Sequence, residues 1–164
     1  MKKLFIIRHA KSDQSFFGND FERPLNERGK GDAPLMAKRL LGTVPKIDAF
    51  VSSPATRAKK TAEAFAAAYG CRADDILLVS ALYHASPEVF YEVIAALPDK
   101  INTVALFSHN PGISFFVNDM ASGVTVDNMP TCGIFAVQVP ITHWGEFGKA
   151  RKEFLFFNYP KLTA

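Results

Sequence analysis

Residues 4–12 read LFIIRHAKS, in which four bulky apolar side chains are followed at once by Arg8 and His9. An apolar run of this kind predicts a strand that is buried in a parallel sheet. The carboxyl ends of such strands are where open α/β sheets bind their ligands. Arginine matches phosphate oxygens with a planar fork of donors, and histidine is a nucleophile that titrates near neutral pH. The segment therefore predicts phosphoryl chemistry at the end of the first strand.

The composition is that of a compact globular protein. The chain has 164 residues, which predicts one domain over residues 1–164. Hydrophobic residues make up 48% of the chain and include 15 Phe, which argues against disorder. The net charge of +3 is not concentrated in one stretch, so nucleic-acid binding is not expected, whereas an anionic substrate is compatible with it.

The sequence predicts neither a secretion signal nor a membrane span. The apolar run near the start is too short for a signal peptide, and Arg8 and His9 end it. No stretch approaches the length of a membrane helix. Cys71 and Cys132 lack metal-ligand spacing and are expected to be reduced thiols. We therefore expect a cytoplasmic protein without a membrane partner.

Strand and helix signals alternate along most of the chain. The predicted strands lie at residues 4–7, 50–52, 76–79, 103–108, 133–139 and 153–157. Helix starts are predicted at Ser53-Pro54, with Ser53 as N-cap, at Ser86-Pro87 and at Asn110-Pro111. This alternation predicts an α/β fold with three αβα layers and a mostly parallel central sheet. Because residues 140–148 are too few for a crossover helix, the last two strands predict an antiparallel edge.

The segment between residues 13 and 41 is less regular. Residues 13–25 are polar and aromatic, which predicts a loop, and we expect its phenylalanines to pack on the core, with docking of a partner as the alternative. Asn26 is a candidate N-cap, but Gly29, Gly31 and Pro34 disturb the helical pattern. The helical pattern is uninterrupted only over residues 35–41, where we predict a helix.

Three strand ends carry side chains that suit one anion site. Right-handed crossovers put the carboxyl ends of parallel strands on one side of the sheet. Arg8 and His9 follow the first strand, Arg57 lies in the first helical turn after the second, and His109 follows the fourth. Helix N-termini add free N–H groups and the positive end of the helix dipole. We therefore predict that these four side chains meet around one phosphate.

These segments resemble the motifs of the histidine phosphatase superfamily and, within it, those of the small SixA-type phosphohistidine phosphatases. The matching segments are Arg8-His9-Ala10-Lys11-Ser12, Arg23-Pro24-Leu25-Asn26-Glu27-Arg28-Gly29, Ser52-Ser53-Pro54 with Arg57 and Thr61-Ala62, and Ser108-His109-Asn110-Pro111. They occur in the family's order over the first two-thirds of the chain. The resemblance implies a phosphoglycerate mutase-like fold and a phosphatase that uses neither a metal nor a cofactor.

The resemblance also implies a mechanism. His9 attacks phosphorus and forms a phosphohistidine intermediate, which water then hydrolyses. Arg8 and Arg57 disfavour a further positive charge and so lower the pKa of His9. Together with His109 as a donor, they stabilise the charge on the transferring oxygens.

Three further residues are candidate contacts of the substrate. Lys11 and Ser12 follow the nucleophile directly, although both are also compatible with an ordinary loop. Arg23 is a substrate contact or, alternatively, the partner of an internal salt bridge with Glu22 or Asp20.

The general acid is where this sequence departs from the wider superfamily. Members that cleave phosphoesters usually carry a carboxylic acid in the central part of the chain. Here His84 stands at the comparable place and Glu88 follows it, so His84, Glu88 or no dedicated acid all remain open. An imidazole, whose pKa is about 6.5, leaves more easily than an alkoxide. A missing carboxylic acid therefore favours a phosphohistidine substrate.

Several functions are compatible with these residues. The leading hypothesis is dephosphorylation of protein phosphohistidine, with control of a phosphorelay as one setting. The first alternative keeps the fold and assigns small phosphate esters, such as sugar or nucleotide phosphates; a phosphoglycerate mutase is expected to be longer. The second alternative is a phosphate-binding module without turnover. A metallohydrolase lacks support, because no His/Asp/Glu spacing of the usual kind is present. The sequence does not fix the oligomeric state.

Overall fold

One mixed sheet organises the fold. The structure is a computed structural model that describes residues 1–162. Its strands are β1 (Lys2–Arg8), β2 (Ala49–Ser52), β3 (Leu77–Leu78), β4 (Thr103–Ser108), β5 (Ile134–Val139) and β6 (Glu153–Asn158). Its α-helices are α1 (Glu27–Thr43), α2 (Thr56–Ala68), α3 (Pro87–Ala95) and α4 (Gly112–Asp119). Short 3₁₀ turns lie at Asp20–Glu22, Ala73–Asp75, Ser80–Leu82 and Trp144–Glu146.

The position of β1 inside the sheet explains its uninterrupted apolar run. The strand order is β3-β2-β4-β1-β5-β6. β1 pairs in parallel with β4, which puts Arg8 opposite Ser108, and antiparallel with β5. β2 and β3 extend the parallel part, and β6 pairs antiparallel with β5. The predicted α/β class, with a mostly parallel sheet and an antiparallel edge, is confirmed.

Different helix pairs cover the two faces of the sheet. Phe5 and Ile7 pack with buried residues of α1 and α2, whereas Leu4 and Ile6 pack with those of α3 and α4. All four side chains are fully buried, and burial of each contributes roughly 1.5–3 kcal/mol. The predicted three-layer αβα arrangement is confirmed, and it leaves the carboxyl ends of the parallel strands free at one edge.

Helix α1 is longer than predicted because its irregular residues have specific uses. Asn26 is its N-cap, and its side-chain oxygen accepts a hydrogen bond from Gly29 N at 2.8 Å. A Cβ on Gly29 would lie 2.1 Å from the backbone oxygen of Lys11, so only glycine permits this close approach. Gly29 therefore joins the start of α1 to the loop that follows His9. The prediction that it disturbs the helix was wrong.

The predicted N-cap of α2 is also wrong. The helix begins at Thr56, and its N-cap Ala55 makes no side-chain hydrogen bond to the helix. Ser53 Oγ instead accepts a hydrogen bond from Ala55 N at 3.2 Å, in a turn that precedes the helix. This turn directs the Ser53 hydroxyl toward His109, a contact between residues that are far apart in the sequence.

The loop before α1 stands away from the core. Phe17 is fully exposed, and Phe16 and Phe21 are only partly buried. The expectation that these side chains pack on the core was wrong, because helix side chains already fill both faces of the sheet. Phe21 packs edge-on against Tyr83, with the ring centroids 5.1 Å apart. The loop therefore belongs to the rim of the sheet edge described below.

Two remaining expectations concern the whole chain. Cys71 and Cys132 are free thiols. Within residues 1–162, no helix combines the length and the apolar character needed to cross a membrane.

Candidate active site

The ends of β1 and β4 bring two histidines together. The rings of His9 and His109 lie 5.1 Å apart between centroids and are both buried. Arg57, from the first turn of α2, is also buried, and Arg8 is partly buried. The four residues that the sequence predicted to meet thus lie at one edge of the sheet.

His9 is held as a neutral ring with a defined tautomer. Its Nδ1 lies 2.7 Å from the backbone oxygen of Ala10. A carbonyl oxygen only accepts, so Nδ1 carries the proton and Nε2 keeps its lone pair. Burial, and after it the charges of Arg8, Arg57 and Arg23, lowers the pKa of His9 to about 3. A nucleophile needs this lone pair, and His9 has it at neutral pH.

The backbone around His9 and Arg57 is tied together by one hydroxyl. Thr61 Oγ1 accepts a hydrogen bond from Ala10 N at 2.9 Å and donates one to the backbone oxygen of Arg57 at 2.8 Å. Thr61 is fully buried on α2. It therefore fixes the loop that follows His9 relative to the helix that carries Arg57.

Three buried nitrogens at this edge have no hydrogen-bond partner among the described residues: Arg8 Nε, Arg57 Nε and His109 Nδ1. Terminal nitrogens of both arginines are used elsewhere, since Arg8 Nη1 donates to the oxygen of Met129 at 2.8 Å and Arg57 Nη1 and Nη2 donate to Asp20. A buried donor without an acceptor costs about 1–3 kcal/mol. Two arginine donors and one histidine nitrogen from three separate segments, left without partners in this way, are the arrangement expected of an anion site.

His109 makes one side-chain hydrogen bond, between its Nε2 and Ser53 Oγ at 2.8 Å. Burial, and after it the neighbouring His9 and Arg57, lowers the pKa of His109 to about 2. His109 is therefore neutral at physiological pH. As a neutral ring it offers one N–H donor and one lone pair.

Asp20 is a member of this site that sequence reasoning did not assign to it. Its carboxylate accepts hydrogen bonds from Arg57 Nη2 and Arg23 Nη2, each at 3.0 Å, and from the Tyr83 hydroxyl at 2.6 Å. Its backbone oxygen accepts one from Arg57 Nη1 at 2.7 Å. The hydrogen bond from Tyr83, followed by those from the arginines, holds the pKa of Asp20 well below its usual range. The spacing of three residues between Asp20 and Arg23 was the available signal, and it suggested only a local salt bridge.

The three candidate substrate contacts, Lys11, Ser12 and Arg23, have different surroundings in the structure. Arg23 makes the predicted salt bridge to Asp20 and also donates to the hydroxyl of Ser12, which is buried. Lys11 is exposed.

The two candidate acids lie in different places. His84 is exposed and stacks on Tyr83 at 4.0 Å between ring centroids. Together with His109 and Phe115 it lines a cavity of about 380 Å³. Glu88 is exposed on α3 and is not one of the residues that line this cavity.

Metal ligands are not clustered here. Over residues 1–162, no group of three or more His, Cys, Asp or Glu side chains is placed so that it could hold a metal ion. The histidines of the site face arginines rather than carboxylates, with Asp20 engaged by Arg23 and Arg57.

Comparison with known proteins agrees with this fold. The family model of the histidine phosphatase superfamily (branch 1) matches residues 4–77. An uncharacterized protein of Mycobacterium tuberculosis is 29% identical over 164 residues, which cover 94% of this chain and 100% of that protein. A SixA-type structure from Agrobacterium tumefaciens superposes with a TM-score of 0.81 and 26% identity, and the match covers 97% of this chain and 98% of that one. The protein histidine phosphatase SixA in complex with tungstate has the same TM-score at 22% identity, covering 96% and 97% of the two chains.

The chain is similar to the histidine phosphatase superfamily, whose family model matches its residues 4–77. Within that superfamily it is most like the SixA type, since the structural match to the Agrobacterium tumefaciens protein covers nearly the whole of both chains. The resemblance and the phosphoglycerate mutase-like fold that the sequence predicted are confirmed.

Proposed function

We propose that this chain is a phosphatase that forms a covalent phosphohistidine on His9 and acts on protein phosphohistidine. The observation that carries the proposal is that three buried nitrogens without a partner among residues 1–162, on Arg8, Arg57 and His109, lie at the same edge of the sheet as a neutral His9. A phosphoryl group supplies the oxygens that these donors lack, and His9 supplies the lone pair that attacks phosphorus.

The reaction has two displacement steps. In the first, the substrate imidazole has taken a proton from solvent on its other ring nitrogen; Nε2 of His9 bonds to phosphorus while the bond from phosphorus to that imidazole breaks, and the imidazole leaves as a neutral ring with the electron pair. In the second, a water oxygen bonds to phosphorus, the bond to Nε2 breaks, the pair returns to His9, and the proton lost by the water stays on the released phosphate. Arg8, Arg57 and His109 face the charge on the phosphoryl oxygens in both steps, so no metal is needed for this task.

The groups around the site favour an easily displaced leaving group. Asp20 is held in its charged form by two arginines and Tyr83, so it has no proton to give. Glu88 does not line the cavity beside His109. A phosphorylated imidazole that is protonated on its other ring nitrogen leaves as neutral imidazole, whose conjugate acid has a pKa of about 6.5, so solvent suffices as the proton source, whereas an alkoxide needs an acid beside it. A phosphoramidate substrate therefore fits the site better than an alkyl phosphate.

A small phosphate ester is the second candidate substrate, and the position of His84 is the observation that favours it. His84 lines the cavity beside His109, where an imidazolium could protonate a leaving oxygen. On this alternative, His84→Ala abolishes turnover of alkyl phosphates. On the leading proposal, the same change leaves turnover of phosphohistidine within about threefold of the parent, since no acid is needed.

The test compares kcat/KM on a histidine-phosphorylated protein with kcat/KM on a panel of sugar and alkyl phosphates. The assay contains a metal chelator, and His9→Ala is the inactive control. A strong preference for phosphohistidine, unchanged by the chelator and lost in His9→Ala, supports the proposal. Preference for an ester moves the function to small metabolites. Phosphate binding without turnover on any substrate indicates a binding module instead.

A further inference from the structure

Ser53 is a buried hydroxyl at the site to which the mechanism above gives no role. It lies between β2 and α2 and is fully buried. Its Oγ has two hydrogen-bond partners among residues 1–162, namely Ala55 N at 3.2 Å and His109 Nε2 at 2.8 Å. Both partners are fixed by the fold, one through the start of α2 and the other through the end of β4.

Counting protons at Ser53 Oγ identifies the donor in its bond to His109. A serine hydroxyl donates one proton and accepts through its lone pairs. The Ala55 N–H is a donor, so toward Ala55 the oxygen accepts. If His109 Nε2 also donated, the hydroxyl proton of Ser53 would be buried without an acceptor, whether or not an anion is bound. If the Ser53 hydroxyl donates to Nε2, the proton that lacks a partner is the one on His109 Nδ1, and an anion bound at this edge supplies its acceptor. The anion site therefore favours donation from Ser53 to Nε2.

The direction of this bond decides what His109 presents to the phosphate. A neutral ring whose Nε2 accepts carries its proton on Nδ1. Nδ1 is the nitrogen of His109 that is buried without a partner, as are Nε of Arg8 and Nε of Arg57. With the proton on Nδ1, His109 adds a third donor to the anion site. With the proton on Nε2, it would turn a lone pair toward the oxygens of an anion.

We propose that Ser53 is a positioning residue that fixes His109 in the Nδ1–H tautomer, so that His109 donates to the phosphoryl group. Both the tautomer and the donation rest on anion binding at this site, which the proposed function requires, but neither depends on turnover. The low pKa of His109, caused first by burial, agrees with a neutral ring in which the choice of tautomer matters.

The test is ¹⁵N NMR of the side-chain nitrogens in protein labelled at histidine. The chain has four histidines, so each ring is assigned with one substitution. In the parent protein we expect the His109 Nδ1 shift to be that of a protonated nitrogen and the Nε2 shift that of a bare one. His9 serves as an internal reference, because Ala10 O fixes its proton on Nδ1 independently of Ser53. Protonated Nε2 on His109 in the parent overturns the proposal without any variant.

Substitutions then test the role of the hydroxyl. In Ser53→Ala we expect His109 to populate both tautomers, with His9 unchanged and kcat/KM lower by about tenfold. Ser53→Thr keeps a hydroxyl and is expected to restore the tautomer and most of the activity. The matched control is Ser52→Ala, which removes an adjacent buried hydroxyl that donates to Ser53 O at 2.8 Å. A His109 that keeps its tautomer in Ser53→Ala overturns the proposal.

Inorganic phosphate separates this proposal from the proposed function. On addition of phosphate we expect the Nδ1 proton of His109 to shift in the parent and in Ser52→Ala. One possible result is that His109 has the Nδ1–H tautomer and shifts with phosphate, but the protein turns over no substrate. This result supports the role of Ser53 and overturns the proposed function. A predicted tautomer whose Nδ1 proton does not respond to saturating phosphate overturns the donation.

Discussion

Asp20→Asn tests whether the Asp20 carboxylate, which accepts a hydrogen bond from Arg57, weakens the binding of phosphate to Arg57. Arg57 turns Nη1 and Nη2 to Asp20 and leaves Nε without a partner. A phosphate bound at Nε and the carboxylate at the other edge of the guanidinium are then two anions on one cation. Asparagine keeps the shape of the side chain but removes its negative charge. We therefore expect Asp20→Asn to bind phosphate more tightly.

The size of the effect follows from the distance and the exposure. Two unit charges roughly 7 Å apart repel each other by about 2 kcal/mol at an effective dielectric constant of about 20. The Asp20 side chain is 52% exposed, so solvent reduces this repulsion to about 1 kcal/mol. That free energy corresponds to about fivefold in the dissociation constant of phosphate.

The assay is competitive inhibition, or calorimetric binding, by inorganic phosphate and by tungstate at pH 7.5 and low salt. Glu22→Gln is the matched control, because Glu22 lies on the same turn and is exposed, and we expect no change in it. The gain in Asp20→Asn should shrink as salt is added. If phosphate binds fivefold or more weakly to Asp20→Asn, the reasoning is refuted. The main effect of Asp20 would then be to orient the Arg57 guanidinium, not to repel phosphate.

Three further predictions concern stability and ionisation. Gly29→Ala places a Cβ 2.1 Å from the backbone oxygen of Lys11 and should lower the free energy of unfolding by about 2 kcal/mol or more. At Gly31 a Cβ would meet no atom within 4 Å, so Gly31→Ala should raise the free energy of unfolding by up to about 1 kcal/mol. Urea unfolding of both variants and the parent measures these differences. The pKa of His109 is lower in the folded protein than in the unfolded chain, so the unfolded state binds more protons and the free energy of unfolding falls as the pH drops below about 6.5. In His109→Gln we expect the slope of the free energy of unfolding against pH, between pH 6 and 4, to decrease by about one proton, or about 1.4 kcal/mol per pH unit. An unchanged slope would contradict this prediction. The ¹⁵N shifts of His9 in the free protein should stay those of a neutral ring down to pH 5, and a midpoint near 6.5 would contradict the burial of this group.

Local sequence patterns sufficed for the sheet and for the residues at the strand ends. The apolar run of β1 and its position before Arg8 and His9 are features of adjacent residues, and the alternation of elements then places Arg57 and His109 at the same edge. These predictions needed only the strand period and the handedness of crossovers.

The features that sequence reasoning missed depend on contacts between distant segments. Asp20 meets Arg57 from 37 residues away, and Ser53 meets His109 from 56 residues away. Gly29 looked like a helix breaker because its use, the close approach of Lys11 O, lies outside its own helix. A propensity describes one residue in its local context, so tertiary contacts of this kind override it.

The central claim is that His9 carries the phosphoryl group during turnover. The most direct measurement is rapid mixing of the protein with a histidine-phosphorylated protein, followed by a quench at high pH and mass spectrometry of the peptides. The account predicts a phosphoryl group on His9 that is stable in base and labile in acid, formed and lost at rates that match turnover. It also predicts that His109→Gln lowers the rate of its formation by about 10²-fold. Turnover with no phosphoryl group on His9, or turnover that persists in His9→Ala, would contradict it.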